Sequence, residues 1–202
     1  MEQGPKVFSS SRKALEKLER THPASMMISL MIIAASAFFL YLMATYCALK
    51  DMDGILVTKE IFLGALILLL PSYPIANLTI CFKQEQSKRL LLLLALSILA
   101  TLSFLLLQVI AWQEFFGMVS VSADLADKII MLIIVIHFLM TAAIAIQMIF
   151  LSFHFLKTLK NPVQQLVVFS NPFERLRLVL LRRVFVFAQY SWIFSLVLVL
   201  LF

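Results

Sequence analysis

The chain has 202 residues, of which 62% are hydrophobic, with a mean hydropathy of +1.00, only four glycines and a formal charge of +6. That composition excludes an ordinary soluble domain, and the near absence of alternating polar and apolar residues excludes a spanning barrel. What remains is an all-α polytopic membrane protein: hydrocarbon offers a backbone no water to bond, and the apolar runs here have helical length.

Residues 1–25 form a basic amino-terminal segment carrying Lys6, Arg12, Lys13, Lys17 and Arg20. Within it, residues 9–20 read as a short helix with a serine start and Leu15 and Leu18 on one side, stopped at His22 and Pro23. The rest, 26–202, is expected to be one transmembrane domain of five spans. Span one covers about 26–48; it has no small-residue cleavage site and is expected to be kept, with Tyr41 and Tyr46 as anchors or helix contacts. Span two, about 61–81, contains Pro71 and Pro74, each of which removes a backbone donor. A kink is predicted there, with the freed carbonyls met by neighbouring helices and by Ser72 or Asn77.

A tight basic turn over 82–89 makes spans two and three an antiparallel hairpin. Span three, about 90–111, is uncharged throughout and runs from Leu90 to Leu107 before admitting an amide at Gln108. Span four, about 129–155, carries His137, Gln147 and His154. In the connection that follows, Ser170-Asn171-Pro172 looks like a helix start, a capping residue ahead of a proline. The basic helix opened there is expected to run straight into span five, about 184–202.

Position explains the charge better than its sum does. The amino-terminal segment, the 82–89 turn and the 156–183 connection hold fourteen of the seventeen basic residues, whereas the other two connections hold six of the eleven acids. Five spans alternating on that pattern put the amino terminus inside and the carboxyl terminus outside. The basic surface then faces inner-leaflet headgroups, and nucleic acid drops out as its partner.

No Asp, Glu, Lys or Arg falls inside any of these spans, which argues against a pump, an ion-coupled transporter or a channel in this chain alone. The polar exceptions are Gln108, His137, Gln147 and Gln189. They are expected to make inter-helix or subunit-interface hydrogen bonds, at about 0.6 kcal/mol each. A bis-histidine haem would need a partner for His137 at matching depth, and His22 and His154 both lie near the inner boundary. Cys47 and Cys81 are expected at opposite membrane ends, as free thiols. No nucleophile, phosphate loop or carboxylate pair is arranged for catalysis, so no catalytic, cofactor-binding or metal-binding residue is expected and the chain is not an enzyme by itself.

Short identities point further. They are Phe39, Leu42, Ala44, Thr45 and Tyr46 in span one, the basic turn before span three, and Phe104 and Gln108 as F-x-x-x-Q. His137 stands for the second histidine of an H-x-x-H segment, and Phe187 for the aromatic residue opening a W-H-F-x-D stretch. In these the chain resembles the five-span form of subunit III of haem-copper terminal oxidases, from span one to the end. Ala35, Gly64, Ala111 and Trp192 fall where that family usually has acids, Ile134 where it has the first histidine, and Ala188-Gln189 where it has W-H.

The resemblance implies a non-catalytic accessory subunit of an aerobic respiratory chain in a bacterial inner membrane, supporting oxidase subunit I through helix and lipid packing. Haem and copper would belong to partner subunits, and this chain would hold at most structural phospholipid. With the family's acids missing, a mainly packing role follows, compatible with a second, more typical subunit III in the same assembly. The alternatives are a small oligomeric transporter or permeation subunit, which needs an inward row of polar groups, and an accessory subunit of another respiratory complex.

Overall fold

The computed structural model describes residues 22–49, 59–119, 125–158 and 161–201, and every regular element among them is a helix. In chain order these are α1 (Pro23–Leu49), α2 (Lys59–Leu69), α3 (Ser72–Lys83), α4 (Ser87–Val119), α5 (Leu125–Thr158), α6 (Pro162–Ser170) and α7 (Pro172–Leu201). Five stretches are long and apolar enough to cross a bilayer: α1, α2 with α3, α4, α5 and α7. The expected short helix at 9–20 lies outside the described residues, as does most of the 49–60 connection.

Each boundary has a local cause. α1 starts with Pro23 at its first position, and His22 closes the open end: its Nδ1 accepts from Ala24 N at 3.2 Å and its carbonyl from Ser25 N at 2.9 Å. Span two is broken rather than gently bent. α2 ends at Leu69, and the chain restarts at Ser72 after a turn in which Leu70 N donates to Ile67 O and Ile75 N to Pro71 O. The prolines remove the donors that would have carried one continuous helix through this point.

α3 and α4 are joined by three residues, a tighter turn than the sequence delimits. Gln86 N donates to Cys81 O at 3.0 Å and Glu85 N to Phe82 O at 3.1 Å, which is the Schellman pattern, with Glu85 at φ 54° in the left-handed position that glycine usually takes. α4 and α5 extend beyond the expected spans 90–111 and 129–155, to Val119 and back to Leu125, so only 120–124 separates them. α7 opens as the sequence indicates, with Asn171 Oδ1 accepting from Phe173 N at 3.0 Å, and then runs unbroken through the basic stretch into span five. The same Asn-Pro device opens α6, where Asn161 Oδ1 accepts from Val163 N at 3.0 Å.

Spans two to five close into a ring: α2 and α3 pack on α4, α4 on α5, α5 on α7, and α7 back on α2 and α3. α1 packs outside this ring, against α5 and α7. The core inside is Leu, Ile and Phe with Phe104, Met148, Phe185 and Trp192 at its centre, while a smaller cluster of Phe39, Leu42, Met43 and Ile133 seats α1.

One end of the bundle gathers most of the described basic residues, among them Lys83, Lys88, Arg89, Lys157, Arg182 and Arg183, whereas Lys128 lies in the first turn of α5 at the other end. Gln165 of α6 donates to Ser87 at the start of α4 (2.9 Å), Phe169 packs on Phe82 (4.9 Å) and Arg183 donates to Ser25 at the start of α1 (2.7 Å). Glu174, buried in the first turn of α7, meets Arg177 at 3.0 Å and His154 Nε2 at 3.4 Å. Cys81 lies at this end and Cys47 near the other end of α1, and both are free.

Candidate functional site: a buried histidine cluster

The hydroxyl groups of the spans are mostly engaged within their own helices. Ser36, Ser97, Thr101, Thr141 and Ser195 each donate to the carbonyl four residues back, at 2.7 to 2.8 Å. Bonds from one helix to another within the core are made by amides and the imidazole at two junctions.

His137, fully buried on α5, is the centre of the arrangement. Its Nε2 lies 2.9 Å from the carbonyl oxygen of Ala188 on α7, and its Nδ1 lies 3.3 Å from Nε2 of Gln108 on α4. A carbonyl only accepts, so Nε2 carries the hydrogen; the Gln108 amide nitrogen then donates to Nδ1. The ring in this arrangement is neutral, as suits a group at membrane depth with no carboxylate beside it among the described residues. One imidazole thus joins three helices.

Aromatic packing fixes the ring plane. Trp192 stacks on His137 with centroids 4.5 Å apart, and Phe104 presents its edge to both, at 5.7 and 5.8 Å. Helical spacing explains the meeting: Ser97, Thr101, Phe104 and Gln108 lie on one face of α4, and Ala188 and Trp192 are one turn apart on α7. On the far side, Gly64 of α2 leaves room for Phe104, whose ring carbon Cε2 would be 3.4 Å from an added Cβ. A longer side chain at 64 would enter the aromatic stack.

Gln189 makes the second junction. Its amide nitrogen donates to Ser72 Oγ at 2.6 Å and to Leu68 O at 3.3 Å, on the two sides of the Pro71 break. A neighbouring helix thus meets a carbonyl at the break, as expected, whereas the expected part of Ser72 and Asn77 is different. Ser72 accepts, and Asn77 donates to Tyr73 O in its own helix at 2.8 Å. Pro74 and Pro71 are both buried beside this junction. Two consecutive residues, Ala188 and Gln189, therefore tie α7 to opposite walls of the ring.

Gln147 is not brought to either junction. It sits exposed on the outer face of α5, one position before the buried Met148. His154 and His22 lie at the basic end, away from His137, and no group of three His, Cys, Asp or Glu side chains is placed to hold a metal ion among the described residues. Sequence reasoning took Trp192 only for a lost acid and missed its part in the cluster; its spacing of four from Ala188 was the available signal.

Most of the positions that carry the resemblance are packed inside, while Ala44 faces outward and Thr45 is half-buried. Phe39, Leu42 and Tyr46 are buried, Phe39 meets Phe187 at 6.4 Å, and Phe104, Gln108 and His137 are neighbours in the cluster. Of the positions where acids were expected from it, Gly64, Ala111 and Trp192 are buried and Ala35 is half-buried. No protein-family model matches the chain, and no curated protein matches it.

Proposed function

We propose that this protein is a non-catalytic accessory subunit of a haem-copper terminal oxidase, similar to subunit III, in a bacterial inner membrane, with its amino terminus inside. The observation that carries the reading is the convergence of the resembling residues: Phe104, Gln108 and His137 come from two helices and meet in one buried cluster.

The chemistry of the cluster supports a packing role. Its bonds run from helix to helix, and its neighbours are Phe104, Trp192 and Gly64, so it has the character of a joint. Polar bonds and close packing are what hold helices together in lipid, where water exclusion contributes little. Haem, copper and proton chemistry would reside in subunit I.

The surface for that partner is the outer seam of α1. Ala34, Ala37, Tyr41, Ala44 and Ala48 recur at spacings of three and four, all facing away from the ring. Four of the five are alanines, and small residues in such a register let a second helix approach closely on either side of Tyr41.

The test is affinity purification through a tag on this chain in mild detergent. The reading expects a haem-containing core to come down with it, visible in the reduced-minus-oxidised spectrum. A homogeneous preparation without haem absorbance, or one that conducts a solute when reconstituted alone, would refute it.

A further inference from the structure

The polar groups on the outside of the broken span lie deep in the membrane. Ser72 of α3 and Gln189 of α7 face each other across the seam between the two helices, 2.6 Å apart. Spans two and five cross in opposite directions, so one residue further along each helix, a turn of about 100°, leads to the same outer side. There stand Tyr73 and Tyr190, 71% and 68% exposed. Lys83, at the basic end of α3, is ten residues from Tyr73, about 15 Å of helix and half of a hydrocarbon core roughly 30 Å thick. Tyrosine usually sits at the ends of a span, where its hydroxyl meets water. Two phenols at mid-depth face lipid tails that offer them no partner.

We infer that this outer face of α3 and α7 is the interface with a second copy of this chain, in which the Tyr73 hydroxyl of each copy donates to Asn77 Oδ1 of the other. The inference is read from this face alone and does not rest on the oxidase reading, whose partner surface is the outer seam of α1.

Asn77 lies one turn from Tyr73 on the same helix and is half-buried. Its amide nitrogen donates to Tyr73 O at 2.8 Å, while Oδ1, with two lone pairs, has no partner among the described residues. A free donor and a free acceptor one turn apart on one face are self-complementary. A two-fold axis along the membrane normal, crossing the α3 helices between positions 73 and 77, forms the pair twice. A foreign helix would have to bring a matching donor and acceptor to this depth, whereas a second copy already has both. The apolar part of the face suits the same contact: Ala76 is half-buried and allows close approach, and Ile80, 50% exposed, packs below it. Tyr190 flanks the pair as a further donor.

The experiment reconstitutes the full chain, carrying a donor or an acceptor dye at its amino terminus, into liposomes over a dilution series and reads energy transfer above the random-proximity level. Transfer is expected to persist on dilution. Tyr73→Phe keeps the ring and loses the hydroxyl, and should move the dimerisation midpoint about sevenfold, for two bonds of average interhelical strength. Asn77→Leu should move it at least as far, and the double variant no further than Asn77→Leu alone, because the two residues are each other's partners. Gln147→Leu, on the outer face of α5, should leave it unchanged. Random-level transfer in the wild type, a wild-type midpoint in Tyr73→Phe, or shifts that add in the double variant would overturn the proposal. If Asn77→Leu does not fold, Tyr73→Phe decides. Loss of transfer here leaves the oxidase reading standing, since that reading is tested by haem in the purified complex.

Discussion

α1 and α7 are both membrane spans, yet apolar content ranks them in the opposite order to burial. The most apolar stretch of α1 has a hydropathy of 2.3 and is 17% buried, whereas that of α7 has 1.3 and is 33% buried. In water the more hydrophobic helix would go inside. In lipid the tails are as apolar as leucine, so hydropathy gives no reason to prefer the interior, and polar groups and close fit decide. α7 supplies the Ala188 carbonyl, Gln189 and Trp192 to the core, while α1 ties to the ring at its basic end through Ser25 and along its length through Phe39, Leu42 and Met43.

Substitutions can break this contrast in graded steps. The largest effect is expected for Trp192→Ala, which removes the stacking surface of His137 and opens a cavity at the centre of the ring, at a cost of about 3–5 kcal/mol read from detergent melting. His137→Leu keeps much of the volume but cuts the links to Gln108 and Ala188; a loss of about 1–3 kcal/mol is expected in the same assay. Next comes a pair of amides that composition treats alike. Gln189→Leu should cost about 1 kcal/mol through Leu68 and Ser72, while Gln147→Leu, on the exposed face of α5, should stay within about 0.5 kcal/mol. Equal costs for the two would mean that the outer face of α5 is as engaged as the core. The smallest effect is expected at the α3–α4 turn, where Glu85→Gly relieves a left-handed backbone and should stabilise the protein by about 0.5 kcal/mol.

How much of this could be read beforehand varies with the kind of signal. Number and order of spans follow from charge-free runs, and the start of α7 follows from Asn171-Pro172, because each depends on local chemistry alone. Asn161-Pro162 carried the same signal for α6 and went unread inside a long polar connection. The overrun of α4 to Val119 was not legible, since hydropathy marks where the membrane ends and a helix can continue past it. Gln108 and Gln147 were indistinguishable as amides. What separates them is register: His137, Thr141, Ile144 and Met148 line the buried face of α5, and Gln147 lies about 100° away from Met148 around the helix. The junction of Gln189 with the Pro71 break depends on two spans 117 residues apart in sequence and had no local trace.

The most direct measurement compares an outer-seam variant with the wild type in two readouts taken on one preparation. Ala37→Leu combined with Ala44→Leu thickens the exposed seam of α1 without entering the ring. The account predicts an unchanged melting temperature for the chain and loss of haem from the affinity-purified complex. Retention of haem at the wild-type level, or a melting drop as large as that of His137→Leu, would contradict it.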